Sequence, residues 1–268
     1  MTTFQKIVKY AAIAFAVVLI IGIVGFIVAV IGNFAFGIFG DAVLDENKTY
    51  TVSGEISNVR IKINAADFYI KEGESFSVES NLKYLEVEES GDTLRMIETK
   101  KRSARDYDEA VFIFTVPKDF VFENADITTG AGMVTIGKLS AKNLELELGA
   151  GAVVIEELNA TTEADISGGA GEVTVKSGIL NNLEFDMGVG ELNLKAKITG
   201  DSDIDLGVGE ANLRFIGSDG DYRLDIEKAI GSIMVDGENI SKNTVIGSGE
   251  NRVDISGGVG TINIAFTE

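Results

Sequence analysis

The sequence predicts an all-β fold, a single-chain β-solenoid whose coils are about 20 residues long, preceded by one N-terminal transmembrane α-helix. Three observations lead to this prediction. A Gly-[Ala/Val/Ile]-Gly motif recurs through residues 123–268, apolar and polar residues alternate on both sides of it, and an unbroken apolar run lies near the N-terminus.

The N-terminal apolar run extends from Ala11 to Gly40, with Asn33 as its one polar residue. As a helix it would measure about 45 Å, against about 30 Å for the hydrocarbon core of a bilayer. We therefore expect residues 11–31 to span a lipid bilayer and the rest of 11–40 to lie at its interface. A secretory signal peptide is the alternative, but its apolar core is only about 7–15 residues long.

The charges around this run predict its orientation. Lys6 and Lys9 precede it, whereas Asp41, Asp45 and Glu46 follow it. The positive-inside rule then predicts a cytoplasmic segment 1–10 and an extracytoplasmic segment 41–268 of a single-pass cell-membrane protein. Residues 41–54 are predicted to be a linker.

Residues 55–122 are predicted to form an N-terminal β region that caps the solenoid. The stretch 59–70 already follows the repeat pattern, with Val59, Ile61, Phe68 and Ile70 inward and "NAA" at the corner. Further on, "SGD" at 90–92 is typical of a hairpin turn.

The repeats themselves occupy residues 123–268. Their corners begin at residues 130, 149, 169, 188, 207, 229 and 258, and the last interval contains the insertion "ENISKNTVIGSGENR". The alternation predicts two strands per coil with one buried face, and we expect the middle residue of each corner to point inward. The corner glycines are expected to provide positive φ or close backbone approach; they are Gly130, Gly132, Gly149, Gly151, Gly169, Gly171, Gly188, Gly190, Gly207, Gly209, Gly231, Gly258 and Gly260.

An acidic residue occupies one outward position of every coil, four residues before the corner. Stacking is expected to align these residues in an acidic column of Asp126, Glu145, Asp165, Glu184, Asp203, Asp225 and Asp254. Such a column keeps a sheet face soluble. Alternatively, it binds divalent cations, since Ca²⁺ prefers carboxylate oxygens. Calcium-binding nonapeptide repeats differ from this chain, because Val173 stands where their Asp ligand belongs.

The composition excludes much catalytic chemistry. The chain has no His and no Cys, which removes the commonest general base and thiol nucleophiles. Its net charge of −19 is unfavourable for binding nucleic acid. The stretch "GAGMVTIGKL" resembles a phosphate-binding loop, but Leu139 follows Lys138 where Ser or Thr is required, and "MVTI" alternates like a strand. We predict no nucleotide, no catalytic residue and no cofactor, apart from weak Ca²⁺ binding.

The anchor and units such as "LEFDMGVGELNLKAKITGDSDIDLGVGEANL" together resemble the bacterial "putative adhesin" family of domains of unknown function, over about residues 55–268. The resemblance implies a non-enzymatic envelope protein, related to proteins of cell-envelope stress operons, that binds an unnamed envelope protein or surface polymer. Two alternatives stay open. One is a divalent-cation-responsive envelope-stress accessory protein, and the other is a β-helix polysaccharide lyase or hydrolase with paired carboxylates.

Overall fold

The computed structural model describes residues 44–100, 109–227, 230–240 and 243–267. The predicted cytoplasmic segment and membrane anchor, residues 1–40, lie outside this part of the chain. Within the described ranges, no helix is both long and apolar enough to span a bilayer.

The described chain is built from sixteen strands that belong to one continuous sheet, with a 3-10 turn at Asp219–Asp221. The strands are β1 (Leu44–Thr51), β2 (Asn58–Ala65), β3 (Asp67–Gly73), β4 (Ser77–Leu82), β5 (Leu85–Ser90), β6 (Thr93–Glu98), β7 (Val111–Pro117), β8 (Phe122–Val175), β9 (Gly178–Asn181), β10 (Leu183–Thr199), β11 (Asp201–Ile216), β12 (Tyr222–Glu227), β13 (Ile230–Val235), β14 (Glu238–Ile240), β15 (Thr244–Gly247) and β16 (Asn251–Thr267). The predicted all-β, solenoid-like fold is therefore present.

The long strands bend at the corners without losing their pairing to the next coil. In β10, for example, Val189 is in register with Ala170 of β8, and Gly190 with Gly171. Because backbone hydrogen bonds continue around each bend, β8 passes through three coils as one strand of 54 residues.

The inward positions are those that the alternation predicts. The residue three positions before each corner is at most 1% exposed in all seven coils: Ile127, Leu146, Ile166, Phe185, Ile204, Ile226 and Ile255. The strand after each corner buries its alternate residues as well, from Val134 and Ile136 to Ile262 and Ile264. The result is a core of stacked aliphatic rows along the solenoid axis.

Each central coil contains a third short strand segment in addition to the two that the sequence predicts. Residues 158–160 pair in parallel with 178–180, and 179–181 pair with 197–199. Leu158, Leu180 and Ile198 fill the core from this side and are fully buried. The segment is too short to show a period-two pattern in the sequence.

The last coils do not stack in chain order. Strand β16 pairs in parallel with β11 on one side and with β12 and β13 on the other. The insertion between residues 238 and 252 contributes β14 and β15, which run antiparallel to β13 and β12 and close this end. The C-terminal strand of the chain is therefore an internal strand of the sheet.

The N-terminal end is closed in a similar way. Strands β6 and β7 extend the parallel stack below β2 and β3, and antiparallel β5, β4 and β1 cover them. The predicted hairpin turn joins β5 to β6, where Ser90 pairs with Thr93 and Gly91 has a φ of 64°. Both ends of the solenoid are thus antiparallel.

Candidate functional site

The acidic column lies on the outward surface of the strand segment that precedes the corners. Strand register places Asp165 beside Glu184, Glu184 beside Asp203, and Asp203 beside Asp254. Asp225 follows Asp254 and ends the column. The insertion of β16 therefore changes the order of the column, but every coil still contributes a carboxylate.

An arginine side chain lies at the other end of the acidic column. Arg60 of β2 is in register with Asp126, and its Nε lies 2.6 Å from the Asp126 Oδ2. Arg95 of β6 is in register with Arg60 and is partly buried. Neither arginine was predicted to belong to the column, although "VRIKIN" shows the same alternation as the acidic strands.

Crowding of like charges changes the titration of the column. Partial burial raises the pKa of Glu145 above its ordinary value, and the carboxylates of Asp126, Glu147 and Asp165 raise it further. Burial also raises the pKa of Asp165, again with neighbouring carboxylates as a contributing cause. Negative charge on this face is therefore energetically unfavourable in the folded protein.

A second outward row, two residues nearer the corner, mixes carboxylates with hydroxyls. Glu147 accepts a hydrogen bond from the Thr128 hydroxyl at 3.2 Å, and Asp205 accepts one from the Ser256 hydroxyl. The hydroxyls separate some of the charges along this row. Among the described residues, no three carboxylates converge as ligands of a single metal ion, so Ca²⁺ binding by the column stays a prediction.

A shallow, open groove of about 810 Å³ runs beside the corners and crosses six successive coils. Its acidic wall includes Glu147, Asp186 and Asp205, and its floor includes Met187 and Leu206. With coils about 4.8 Å apart, the groove extends for about 24 Å along the solenoid axis. Its length and its repeating chemistry suit an extended partner.

The corner glycines allow adjacent coils to approach closely. At Gly190 the φ is 146°, and an added Cβ would overlap the carbonyl oxygen of Gly171. At Gly149 an added Cβ would overlap the carbonyl oxygen of Gly130. Positive φ occurs at the second glycine of each corner, whereas the first glycine relieves only the steric conflict.

The middle residues of the corners contradict one prediction, because they point outward. Ile230 is 72% exposed and Val259 is 39% exposed, while Val189 and Val208 are half-buried. The turn at the glycines shifts the alternation by one residue, which rotates the middle side chain out of the core. The corners therefore carry an apolar stripe on the outer surface.

The apparent phosphate-binding loop lies within β8 and continues as a strand through its corner. The Lys138 ammonium lies 3.0 Å from an Asp119 carboxylate oxygen and 3.7 Å from one of Glu157. These contacts raise the pKa of Lys138. The positive charge of Lys138 is therefore paired with two carboxylates of the fold.

Comparisons with known proteins point to one domain family. The sequence profile described as Toastrack DUF4097 matches residues 42–265, and no functionally curated protein matches the chain. A crystal structure of a "putative cell adhesion protein" from Clostridium sporogenes is 12% identical, with a TM-score of 0.34, over 83% of this chain and 99% of its own. A "putative adhesin" from Bacteroides fragilis is 15% identical, with a TM-score of 0.36, over 81% and 95%.

Proposed function

The chain belongs to the Toastrack DUF4097 family, and we propose that it is a single-span, membrane-anchored protein whose extracytoplasmic solenoid binds or scaffolds components of the bacterial envelope. In this adhesin-like role the protein acts without catalysis. The anchor, residues 11–40, holds the solenoid at the membrane surface, and the partner is an envelope protein or a surface polymer.

The observation that carries the proposal is the groove beside the corners. It presents similar chemistry from six coils in strict register. A surface of this kind binds an extended partner by many equivalent contacts. Because its carboxylates form regular rows, it suits recognition better than attack on a single bond.

Photo-crosslinking in native membranes tests the binding role. A photoreactive residue replaces Asp186 in the groove of the full-length protein, and a matched control replaces Lys142, an exposed residue outside the groove. We expect discrete adducts from position 186 and none from position 142. Identical adduct patterns at both positions, or no adducts at either, would refute the proposal.

The orientation is tested with cysteine labelling, because the chain contains no native cysteine. We expect a membrane-impermeant maleimide to label Lys142→Cys on intact, wall-stripped cells. Thr3→Cys, in the predicted cytoplasmic segment, is expected to react only after permeabilisation. The reverse pattern would show that the orientation is wrong.

A second candidate function is a response to divalent cations. The raised pKa values of Glu145 and Asp165 support it, since a bound cation would relieve the repulsion that contributes to them. Calorimetry and thermal melts of the full-length protein with millimolar Ca²⁺ test this function. We expect binding heat and a higher Tm, both reduced in Glu145→Gln/Asp165→Asn but not in Glu238→Gln, which changes an exposed carboxylate outside the column. The absence of heat and of a Tm shift would remove this candidate.

A further inference from the structure

The corner stripe, defined as Val189, Val208, Val259 and Ile230, is a continuous apolar surface on the outside of the solenoid. The strand register aligns Val189 with Val208, Val208 with Val259, and Val259 with Ile230. The earlier corners carry only alanine at this position, namely Ala131, Ala150 and Ala170. Branched side chains, with the greatest exposure at Ile230, are therefore concentrated on the four C-terminal coils of the stack.

Carboxylates border the stripe on both sides at Val189 and Val208. At Val259 and Ile230 the same positions hold one carboxylate, Glu227, and otherwise hydroxyl residues. Asp186 and Asp205 lie three residues before their corner residues, and Glu191 and Glu210 lie two residues after them; all four are exposed. Glu172 is in register with Glu191 and adds a third carboxylate to the row formed by Glu191 and Glu210. None of these five carboxylates forms an ion pair with a residue in the part of the chain that the structure describes. A complementary partner would place basic groups on either side of an apolar strip.

The spacing of the stripe distinguishes between kinds of partner. Four positions about 4.8 Å apart span about 14 Å. An amphipathic helix presents an apolar residue about every 5.4 Å along its axis, so four such residues span about 16 Å. An extended strand presents one about every 6.7 Å and spans about 20 Å. The helix matches the stripe more closely, with its axis parallel to the solenoid axis.

We propose that the corner stripe docks a basic amphipathic helix of a partner protein. The apolar face of the helix, with residues at i, i+3 or i+4, i+7 and i+11, covers Val189, Val208, Val259 and Ile230. Lysine or arginine side chains on its two flanks pair with the carboxylates on either side of Val189 and Val208. This inference rests on the proposed binding function and names the class of partner.

The test uses the full-length protein in detergent and two synthetic peptides of identical leucine and lysine composition. One peptide places leucine at helical spacing, and the other alternates leucine and lysine with period two. Binding is measured by fluorescence anisotropy at low and physiological salt. We expect the helical-period peptide to bind about tenfold more tightly than the period-two peptide, and its binding to weaken with salt.

Variants of the protein separate the stripe from the overall negative charge. Val259→Ser/Ile230→Ser is expected to weaken helix binding about tenfold, whereas Ile179→Ser, at a 49% exposed position away from the corners, leaves it unchanged. Glu191→Gln/Glu210→Gln is expected to weaken binding and reduce its salt dependence, with Glu163→Gln as the matched control. Thermal melts verify that each variant is folded. Equal affinity for both peptides, or equal loss in the control variants, would overturn the proposal.

The crosslinking experiment distinguishes this inference from the function on which it rests. A protein adduct at position 186 that disappears in Val259→Ser/Ile230→Ser supports both. A polysaccharide adduct, or a protein adduct that survives these substitutions, overturns helix docking and leaves the binding role intact. If light scattering shows that a second copy of the chain covers the stripe, helix docking is likewise wrong.

Discussion

The Arg60 guanidinium contacts the Asp126 carboxylate across two adjacent coils and ends the acidic column with a positive charge. The Nε–Oδ2 distance is 2.6 Å, although 66 residues separate the two positions in the chain. Arg60 also lowers the pKa of the next carboxyl in the column, that of Glu145. The effect of Arg60 partly offsets the rise in the Glu145 pKa that burial and the neighbouring carboxylates cause.

Removal of the Arg60 charge is expected to change the pKa values of the carboxyls in the acidic column. Arg60→Gln should raise the pKa of Glu145 further, because the arginine that favours its ionised form is lost. Lys142→Gln, which removes the ion pair of Lys142 with Glu123, is the control and should leave the Glu145 pKa unchanged. NMR titration of the side-chain carboxyls measures both. An unchanged Glu145 pKa in Arg60→Gln would contradict this account.

Stability is expected to increase as the pH falls from 7 to about 5. The pKa values of Glu145 and Asp165 are raised in the folded state, so the folded protein binds more protons than the unfolded chain in the window above their ordinary values. Unfolding free energy therefore decreases as the pH rises through this window. Urea unfolding at both pH values measures the effect.

Neutral variants provide the control for this pH dependence. Glu145→Gln/Asp165→Asn should be more stable than the native protein at pH 7 and should show a smaller gain on acidification. At still lower pH, stability is expected to fall again. Hydrogen bonds from Ser218 lower the pKa of Asp221, and their contribution is lost as that group is protonated. A native protein that is least stable at pH 5 would refute the role of the column.

Substitution of a corner glycine tests close approach separately from backbone conformation. Gly190→Ala requires both a positive φ and a Cβ that overlaps Gly171, whereas at Gly237 the φ is 82° and an added Cβ meets nothing within 4 Å. We expect Gly190→Ala to cost about 3 kcal/mol or more and Gly237→Ala about 1 kcal/mol. Chemical denaturation measures both, and equal costs would show that conformation alone matters.

Truncation before β16 is expected to release the end of the solenoid. Strands β12 and β13 reach the rest of the stack through β16, so deletion of residues 251–268 should leave their amides unprotected from hydrogen exchange. Amides of β8 should keep their protection. If β12 and β13 stay protected in the truncated chain, they do not depend on β16.

Much of the fold could be predicted from residue patterns. Period-two alternation identifies the buried rows because a strand has one inward and one outward side, and corner glycines recur because each coil repeats the same close approach. The order of the last coils could not be predicted, since β13 and β16 have equivalent inward residues and either could follow β11. The acidic column was visible, because one register places every equivalent residue in a line.

The corner stripe was not predicted, for a physical reason. Alternation carried forward from Ile127 and Thr129 places Ala131 inward, but the inward residues after the corner are Val134 and Ile136. This change of phase is present in the sequence. Its effect on the middle residue depends on the backbone rotation at Gly132, whose φ is 127°, and a residue pattern does not specify that angle.

The internal position of β16 has a consequence for biosynthesis. A chain grows from its N-terminus, so the capped end and the central coils are synthesised before β16. Until residues 251–267 emerge, the outer edge of β11 has no partner, and β12 and β13 have no place in the stack. Assembly of the solenoid therefore waits for residues 251–267, which join two parts of the molecule that were synthesised before them.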